Sequence, residues 1–257
     1  MMDNIISVEN LYMDYGSGDV LKGISFEVPK GQIVGYIGPN GAGKSTTIRI
    51  FLGMTSGYRG TVKIFGEDIR DKYEYKRRIG YVPEIVEFYD SLTPVEYLNF
   101  IGSIYGLEEN KLNKKIDELL NIFDLYEVKN TRISSFSKGM KQKLAIISSI
   151  IHNPDLIFFD EPITGLDANS AMVFKEMMQA LKNEGKTIFY SSHIMEVVEK
   201  VSDRILLLND GQIVADGNFE ELKEKVLGSS LEDIFNTLTG FTNHSEVANR
   251  LVEVINS

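Results

Sequence analysis

Short apolar segments alternate with longer segments of helical period over most of the chain, a pattern that predicts an α/β fold. Residues 5–11 and 21–28 are rich in apolar positions, and the turn-forming residues 16–19 separate them. This arrangement predicts an antiparallel β-hairpin. The apolar segment Ile33–Ile37 follows the hairpin and predicts a buried strand.

The pattern becomes purely helical between residues 94 and 125. Thr93 is a favoured N-cap residue, and Pro94 would occupy the first helical position. A second helix is predicted around residues 112–123. Since strand patterns lie on both sides of this region, an all-helical insert is predicted at about residues 86–152.

Strands and helices alternate again in the second half of the chain. The predicted elements are a helix over 137–151, a strand over Leu156–Asp160, a helix over Ala168–Asn183, a strand over Thr187–Ser191, a short helix from Ile194, and a hairpin of residues 204–208 and 212–215. From Phe219 onward, two or three short helices are predicted. In the last of them, Val247, Leu251 and Val254 form a narrow apolar stripe, for which we predict packing on the body, with a dimer contact as the alternative.

Residues 38–46, GPNGAGKST, fit the phosphate-binding pattern G-x-x-x-x-G-K-[ST] and lie between a predicted strand and a predicted helix. Gly41 and Gly43 let the backbone turn so that consecutive N–H groups face phosphate oxygens, and the helix N-terminus adds partial positive charge. Lys44 is predicted to reach the β and γ phosphates, and the Ser45 hydroxyl to ligate Mg²⁺. The residues of this P-loop predicted to bind a nucleoside triphosphate are Gly38, Asn40, Gly41, Gly43, Lys44, Ser45 and Thr46.

Two adjacent acids, Asp160 and Glu161, end an apolar strand. An acid at the carboxyl edge of a parallel strand beside a P-loop can hold Mg²⁺, which is the predicted role of Asp160. Glu161 is predicted to accept a proton from an attacking water. His193 follows the apolar strand Thr187–Ser191 and is predicted to reach the γ-phosphate and help orient that water.

The composition narrows the classes of protein that fit. The 257 residues carry a net charge of −10, which argues against a nucleic-acid binder with its usual basic face. There is no cysteine, and therefore no disulfide framework or thiolate metal site. Residues 1–9 do not fit a signal peptide, and the apolar run at residues 144–151 is too short to cross a bilayer. We therefore expect a soluble chain that reaches a membrane only through a partner, and the lack of cysteine is compatible with a cytosolic location.

With these motifs in order, residues 137–144, SKGMKQKL, resemble the signature motif of the ATP-binding cassette (ABC) ATPases. The common form of that signature is Leu-Ser-Gly-Gly-Gln. Residues 136–140 keep its serine as Ser137 and its second glycine as Gly139. The resemblance spans roughly residues 5–217 and includes the aromatic loop, Walker A, Q-loop, signature, Walker B, D-loop and H-loop.

The resemblance implies further site residues. Ser137 and Gly139 would contact a phosphate, and Tyr15 would stack on the adenine ring, with Tyr12 as the alternative. Asp167, in the D-loop Gly165-Leu166-Asp167, would contact the opposite subunit.

Glu84 stands where most family members have glutamine. By the resemblance, this position serves the metal ion and the catalytic water, and it senses the γ-phosphate. An ionised glutamate accepts hydrogen bonds but cannot donate them, so its bonding to Mg²⁺ or water would differ from that of glutamine.

The fold implied by the resemblance is an α/β P-loop NTPase core with an N-terminal antiparallel β-subdomain and the helical insert. These would form a nucleotide-binding domain over residues 1–217, followed by a helical tail over residues 218–257. The implied function is ATP hydrolysis, with ATP and Mg²⁺, in an export-type transporter. The implied partners are integral-membrane permease subunits and a second nucleotide-binding domain, identical or paralogous. The two domains would face each other head to tail, at the inner face of the cell membrane.

Two alternatives remain open from sequence. The first is a soluble ABC ATPase that serves translation or DNA repair, although such members usually carry two cassettes or a long coiled coil, and neither pattern is present here. The second is a P-loop kinase, but the signature residues and Glu161 favour water as the phosphoryl acceptor.

Overall fold

The computed structural model describes residues 4–16, 18–226, 230–240 and 244–255. The strands are β1 (Asn4–Asp14), β2 (Asp19–Pro29), β3 (Ile33–Ile37), β4 (Arg59–Ile64), β5 (Glu67–Asp68), β6 (Ile79–Val82), β7 (Leu156–Asp160), β8 (Thr187–Ser191), β9 (Arg204–Asn209) and β10 (Gln212–Gly217). The α-helices are α1 (Lys44–Phe51), α2 (Pro94–Ile104), α3 (Glu109–Ile122), α4 (Lys138–Ile150), α5 (Ala168–Asn183), α6 (Met195–Val201), α7 (Phe219–Val226), α8 (Leu231–Thr239) and α9 (His244–Ile255). Short 3₁₀ helices cover Glu74–Arg78, Tyr126–Val128 and Ile133–Ser135.

A six-stranded sheet with the order β10-β9-β3-β8-β7-β6 forms the centre of the molecule. Its strands are parallel except β10, which returns antiparallel to β9. Strands β3, β7 and β8 are buried along their whole length, because helices or the second sheet cover both faces. These strands confirm the predicted ones. Their carboxyl ends lie at one edge of the sheet, together with that of β6.

A second, four-stranded antiparallel sheet has the order β2-β1-β4-β5. The pairing of β1 with β2 confirms the predicted hairpin, although both strands are longer than the apolar pattern indicated. Between Val8 and Tyr12 the register of β1 shifts, and Asn10 has a left-handed φ of 48°. Such an irregularity changes which face the following side chains occupy.

The first helix of the insert, α2, begins where the sequence predicts. The Thr93 hydroxyl accepts a hydrogen bond from Glu96 N–H at 3.2 Å, and Glu96 Oε2 accepts one from Thr93 N–H at 2.8 Å, a capping box that fixes the start of α2. Helix α3 buries the face formed by Leu112, Ile116 and Leu120, which follow each other at four-residue spacing.

Apolar residues cover both faces of the six-stranded sheet. On one face, Phe51 of α1 contacts the rings of Phe158 and Phe189, with centroids 5.8 Å away in each case. Phe26 of the antiparallel sheet joins the same cluster. On the other face, Phe174 of α5 packs edge-on against Phe159. Helix α1, which carries the P-loop lysine, is thus packed between the two sheets.

The tail begins as predicted with short helices, and Leu231 and Ile234 of α8 are buried in the core. The prediction that the stripe of α9 packs on the body is wrong at Leu251 and Val254, which are 57% and 69% exposed. The side chain of Val247 lies outside the described part of the chain. Within that part, every helix is too short or too polar to cross a lipid bilayer.

Candidate nucleotide-binding site

The register of the parallel strands brings the predicted site residues together. Asp160 at the end of β7 lies opposite Ser191 at the end of β8, and Ser191 lies opposite Tyr36, near the end of β3. The P-loop, the two acids and His193 therefore share one edge of the sheet. They surround a cleft of about 800 Å³ lined by Val20, Asn40, Gly41, Gly43, Lys44, Ser45, Thr46, Glu84, Asp160, Glu161 and His193.

Two glycines of the P-loop are required, because neighbouring atoms lie too close for a Cβ and because one of them has a left-handed backbone. A Cβ on Gly38 would lie 2.2 Å from the carbonyl oxygen of Leu208, so any other residue would displace the loop from the sheet. Gly43 has a φ of 111°, and its Cβ would lie 2.6 Å from a methyl group of Leu21. The loop can therefore wrap closely around a ligand only with glycine at these positions.

The N-terminus of α1 has the chemistry of a phosphate site. Helix α1 begins at Lys44, no described side chain caps it, and its first turn contains no acid, which leaves N–H donors for an anion. Lys44 Nζ donates to the carbonyl oxygens of Gly38 at 2.6 Å and Pro39 at 3.2 Å, so the ammonium lies within the loop. These donors match the negative charge of a triphosphate.

Opposing influences act on the Lys44 ammonium. Burial lowers its pKa below the usual value, while the carboxylates of Glu161, Asp160 and Glu84 act in the opposite direction. Lys44 shares the cleft with three acidic residues, so the acidic side chains outnumber the lysine. A divalent cation that arrives with the nucleotide would offset this excess.

Asp160 has the surroundings of a metal-binding carboxylate. Its side chain accepts hydrogen bonds from the hydroxyls of Ser191 and Ser45. Burial raises the pKa of Asp160, and the negative charge of Glu84 raises it further, while the hydrogen bonds and Lys44 lower it. Mg²⁺ is usually held by one or two carboxylates together with substrate phosphates, so Asp160 and the Ser45 hydroxyl fit this ion.

The raised pKa of Asp160 has a consequence for stability. The ionised carboxylate costs folded-state stability, and this cost appears as the pH rises through the folded-state pKa. Asp160→Asn is therefore expected to raise the thermal midpoint of the nucleotide-free, metal-free chain by a few degrees near neutral pH, and by less at pH 4–5. Scanning calorimetry in EDTA, from pH 4 to neutral pH, measures the thermal midpoints of the variant and the wild type. A lower midpoint for the variant at every pH would contradict the expectation.

Both the backbone and the side chain of Glu161 make contacts that fix its position. It adopts a left-handed φ of 51°, and its N–H donates to Ser191 O at 3.1 Å. His193 Nδ1 lies 2.8 Å from Glu161 Oε2, and the Ser192 hydroxyl lies 3.4 Å from the same oxygen. Burial raises the pKa of Glu161, and the contact with His193 lowers it. A carboxylate with a raised pKa that is oriented by a neighbouring histidine is suited to accept a proton.

Glu84 reaches the same cleft from the segment after β6. Its side chain is exposed, and its charge raises the pKa of Asp160. It is therefore close enough to influence a metal ion held by Asp160.

The two candidate adenine-stacking tyrosines have different surroundings. Tyr12 packs against Gly23, and the Arg59 guanidinium lies 5.0 Å above its ring, so that ring is already engaged. Tyr15 lies just after β1, is 54% exposed, and is not among the residues that line the cleft. Of the two, Tyr15 has the freer ring face.

Tyr15→Ala is expected to weaken ATP binding by about 1–3 kcal/mol, the usual contribution of an aromatic ring stacked on a base. Tyr12→Ala is the matched control. It should lower thermal stability through the loss of its contact with Arg59, yet change nucleotide affinity little. Calorimetric titration of both variants with ATP decides the assignment, and the opposite ranking would make Tyr12 the stacking residue.

The signature and D-loop residues lie apart from this cleft. Ser137 caps α4, with Met140 N–H 3.2 Å from its hydroxyl. A Cβ on Gly139 would lie 2.8 Å from Gly165 O, so the signature packs on the D-loop. Asp167 caps α5 by accepting from Ser170 N–H at 3.0 Å. Among the cleft residues, sequence reasoning missed Val20, whose only sequence signal is its place after the turn at 16–19.

The fold and this site define an ABC-type ATPase cassette, and comparison with known proteins agrees. A family model described as ABC transporter matches residues 21–164, so the chain belongs to that family. It is an ATP-binding subunit, and its family hydrolyses ATP. The family interpretation from sequence is thereby confirmed, and the alternative of a P-loop kinase is excluded.

Two relatives and one solved structure illustrate the similarity. The chain is 38% identical to the ABC transporter ATP-binding protein NatA of Bacillus subtilis over 217 residues. This alignment covers 84% of this chain and 88% of that protein. It is 34% identical to the Nod factor export ATP-binding protein I of Ralstonia nicotianae, over 90% of this chain and 72% of that one. A solved structure described as the ATP binding subunit of an ABC transporter superposes with a TM-score of 0.86 at 34% identity, over 91% of this chain and 99% of that one.

Proposed function

We propose that the chain powers an export-type membrane transporter through ATP-driven, head-to-tail pairing with a second nucleotide-binding domain. The observation that carries this proposal is the separation of Ser137 and Gly139 from the cleft around Lys44. One chain thus has a P-loop half-site and a signature half-site that do not meet. A second copy or a paralogue, placed head to tail, would complete both.

Each residue has a definite proposed task. Lys44 and the backbone N–H groups of the loop bind the triphosphate, and Tyr15 stacks on the adenine. Asp160, the Ser45 hydroxyl and Glu84 hold Mg²⁺, which offsets the phosphate charge when bound. Glu161 accepts the proton of the attacking water. His193, which also contacts the Glu161 carboxylate, reaches the γ-phosphate and helps orient that water.

The opposite half-site and the cellular location complete the proposal. Ser137 and Gly139 contact the γ-phosphate held by the opposite domain, and Asp167 contacts that domain directly. Residues 1–217 act as the nucleotide-binding domain and residues 218–257 as a helical tail. The chain is cytoplasmic and peripheral on the inner membrane face, where permease subunits bind it. The name of the Nod factor export relative supports export as the direction.

The helical insert offers a place for the permease. A cleft of about 300 Å³ lies between α2 and the core. It is lined in part by Tyr97 and Ile101 of α2, by Tyr105 just after α2, and by Met54 after α1. A groove of this kind suits a short helix of the membrane subunit. Closure on ATP would move the insert relative to the P-loop and shift this groove.

The aromatic residues near this cleft differ in exposure: some pack against the insert, and others are exposed to solvent. Phe88 is half-buried, and its ring meets Tyr97 edge-on at 4.8 Å. Tyr89 and Phe100 are 63% and 46% exposed, with ring centroids 6.1 Å apart. Exposed aromatic pairs are favoured anchors at protein interfaces, so these two are the better candidates.

The double change Tyr89→Ser and Phe100→Ser is expected to leave the chain folded and able to bind ATP, but to reduce permease association at least about tenfold, since interface anchors contribute about 2 kcal/mol or more. Association is measured as co-purification of the chain with membranes from cells that express its native membrane partners. Tyr73→Ser, which changes an exposed tyrosine outside the insert, is the matched control.

The outcomes separate the alternatives. Wild-type chain that never co-purifies with membranes favours the soluble ABC ATPase. Wild-type association that survives the double change places the docking surface elsewhere.

A further inference from the structure

The loop between β7 and α5 carries Glu161 at its start and Asp167 at its end. Backbone hydrogen bonds from Thr164 N–H to Glu161 O at 3.2 Å and from Leu166 N–H to Ile163 O at 3.1 Å close two turns within it. Ile163 is buried in the core. The loop is therefore a compact unit, and a displacement of its backbone displaces Glu161.

Gln142 joins this loop to helix α4. Its side chain is 3% exposed, and its Nε2 donates to the carbonyl oxygen of Pro162 at 2.8 Å. Glutamine is rarely buried to this degree, and a buried amide normally has a specific partner. Here the partner is the residue directly after the proposed base.

A second contact between α4 and the same loop lies at the start of the helix. A Cβ on Gly139 would come within 2.8 Å of Gly165 O, so the helix backbone lies directly on the loop. Gly139 and Gln142 are three residues apart and therefore share one face of α4. This face holds the loop at two points, one near each of its ends.

We propose that Gln142 is a positioning residue, which holds Glu161 where its carboxylate accepts the proton in ATP hydrolysis. The left-handed backbone of Glu161 is unusual for a residue with a side chain and persists only when its neighbours hold it. Its N–H donates to Ser191 O, and Gln142 holds the carbonyl group of Pro162, the residue that follows Glu161. The inference rests on the proposed role of Glu161 as the base.

Ser137 caps the start of the same helix, and the proposed pairing places this residue against the nucleotide of the opposite chain. A movement of α4 on that contact would reach Glu161 through the bond to Pro162. Gln142 would then make hydrolysis in one half of the pair respond to nucleotide in the other.

The first test replaces Gln142 by methionine, which has a similar length but no donor. We expect kcat for ATP hydrolysis to fall about 10- to 100-fold, the usual effect of a small misplacement of a catalytic group, while KM stays within about twofold. Ser149→Ala is the matched control, since Ser149 is buried on the same helix but bonds only to Ile146 O within it. The control should keep wild-type turnover. Unchanged kcat in Gln142→Met, or a loss confined to ATP affinity, would overturn the proposal.

A double-mutant cycle tests whether Gln142 acts through Glu161. In single-turnover assays, Gln142→Met should cost little further rate when Glu161→Gln is already present, because residues that act as a unit are non-additive. An equal loss in both backgrounds would overturn the proposal. Full turnover in Glu161→Gln alone would instead remove the proposed base. If circular dichroism shows that Gln142→Met is unfolded, Gln142→Asn, too short to reach Pro162, should give the same kinetic loss.

Discussion

Glu161→Gln is expected to lower ATP turnover by about 10²–10⁴-fold, the usual contribution of a positioned general base, while ATP binding is kept. Glutamine fills the same space and can still meet His193, but it cannot take a proton from water. Because burial raises the pKa of Glu161, wild-type turnover should also fall on the acid side above the ordinary pKa of a glutamate. Phosphate release measured against pH tests both statements.

The same variant should accumulate as an ATP-bound pair, because in the proposed pairing ATP hydrolysis separates the two domains. Size-exclusion chromatography with Mg-ATP detects this pair. Glu176→Gln, at an exposed position on α5, is the matched control and should behave as the wild type. Undiminished turnover together with a purely monomeric Glu161→Gln would contradict the assignment and direct attention to Glu84 or His193.

Lys44→Ala is expected to weaken ATP binding by about 10- to 100-fold, because a hydrogen bond to a charged group contributes about 1.5–3 kcal/mol. The described cleft contains one lysine among three carboxylates, so no other side chain there replaces its charge. Isothermal titration with Mg-ATP measures the loss. Lys200→Ala, which removes an exposed lysine paired with Glu196, is the control.

The folded state of Lys44→Ala must be checked, because Lys44 also bonds to Gly38 O and Pro39 O. Circular dichroism and the thermal midpoint provide this check. A folded variant with wild-type affinity would show that the P-loop does not bind the triphosphate as proposed.

The P-loop could be predicted from sequence because its chemistry is local. Consecutive residues supply the turn, the donors and the helix start, and the strand before them is a continuous apolar run. The acids of β7 were predicted for a similar reason, since the end of a buried parallel strand places Asp160 at the ligand-binding edge whatever packs around it.

Side-chain exposure was harder to predict, because it depends on distant parts of the chain. The register shift in β1 places Tyr12 against Gly23 and Arg59 and leaves Tyr15 free. Phe88 and Tyr89 are neighbours in sequence, yet only Phe88 meets Tyr97. The amphipathic stripe of α9 predicted burial, but a stripe shows which face is apolar and not what covers it.

The sequence by itself determined the family and the order of the elements, and it predicted site residues from short motifs, because these properties depend on near neighbours in the chain. Only the tertiary structure decided which site residues line one cleft and which aromatic side chains are exposed. It alone revealed the bond between Gln142 and Pro162, which are twenty residues apart. Such contacts depend on the packing of whole helices against the sheet, which no local pattern of residues specifies.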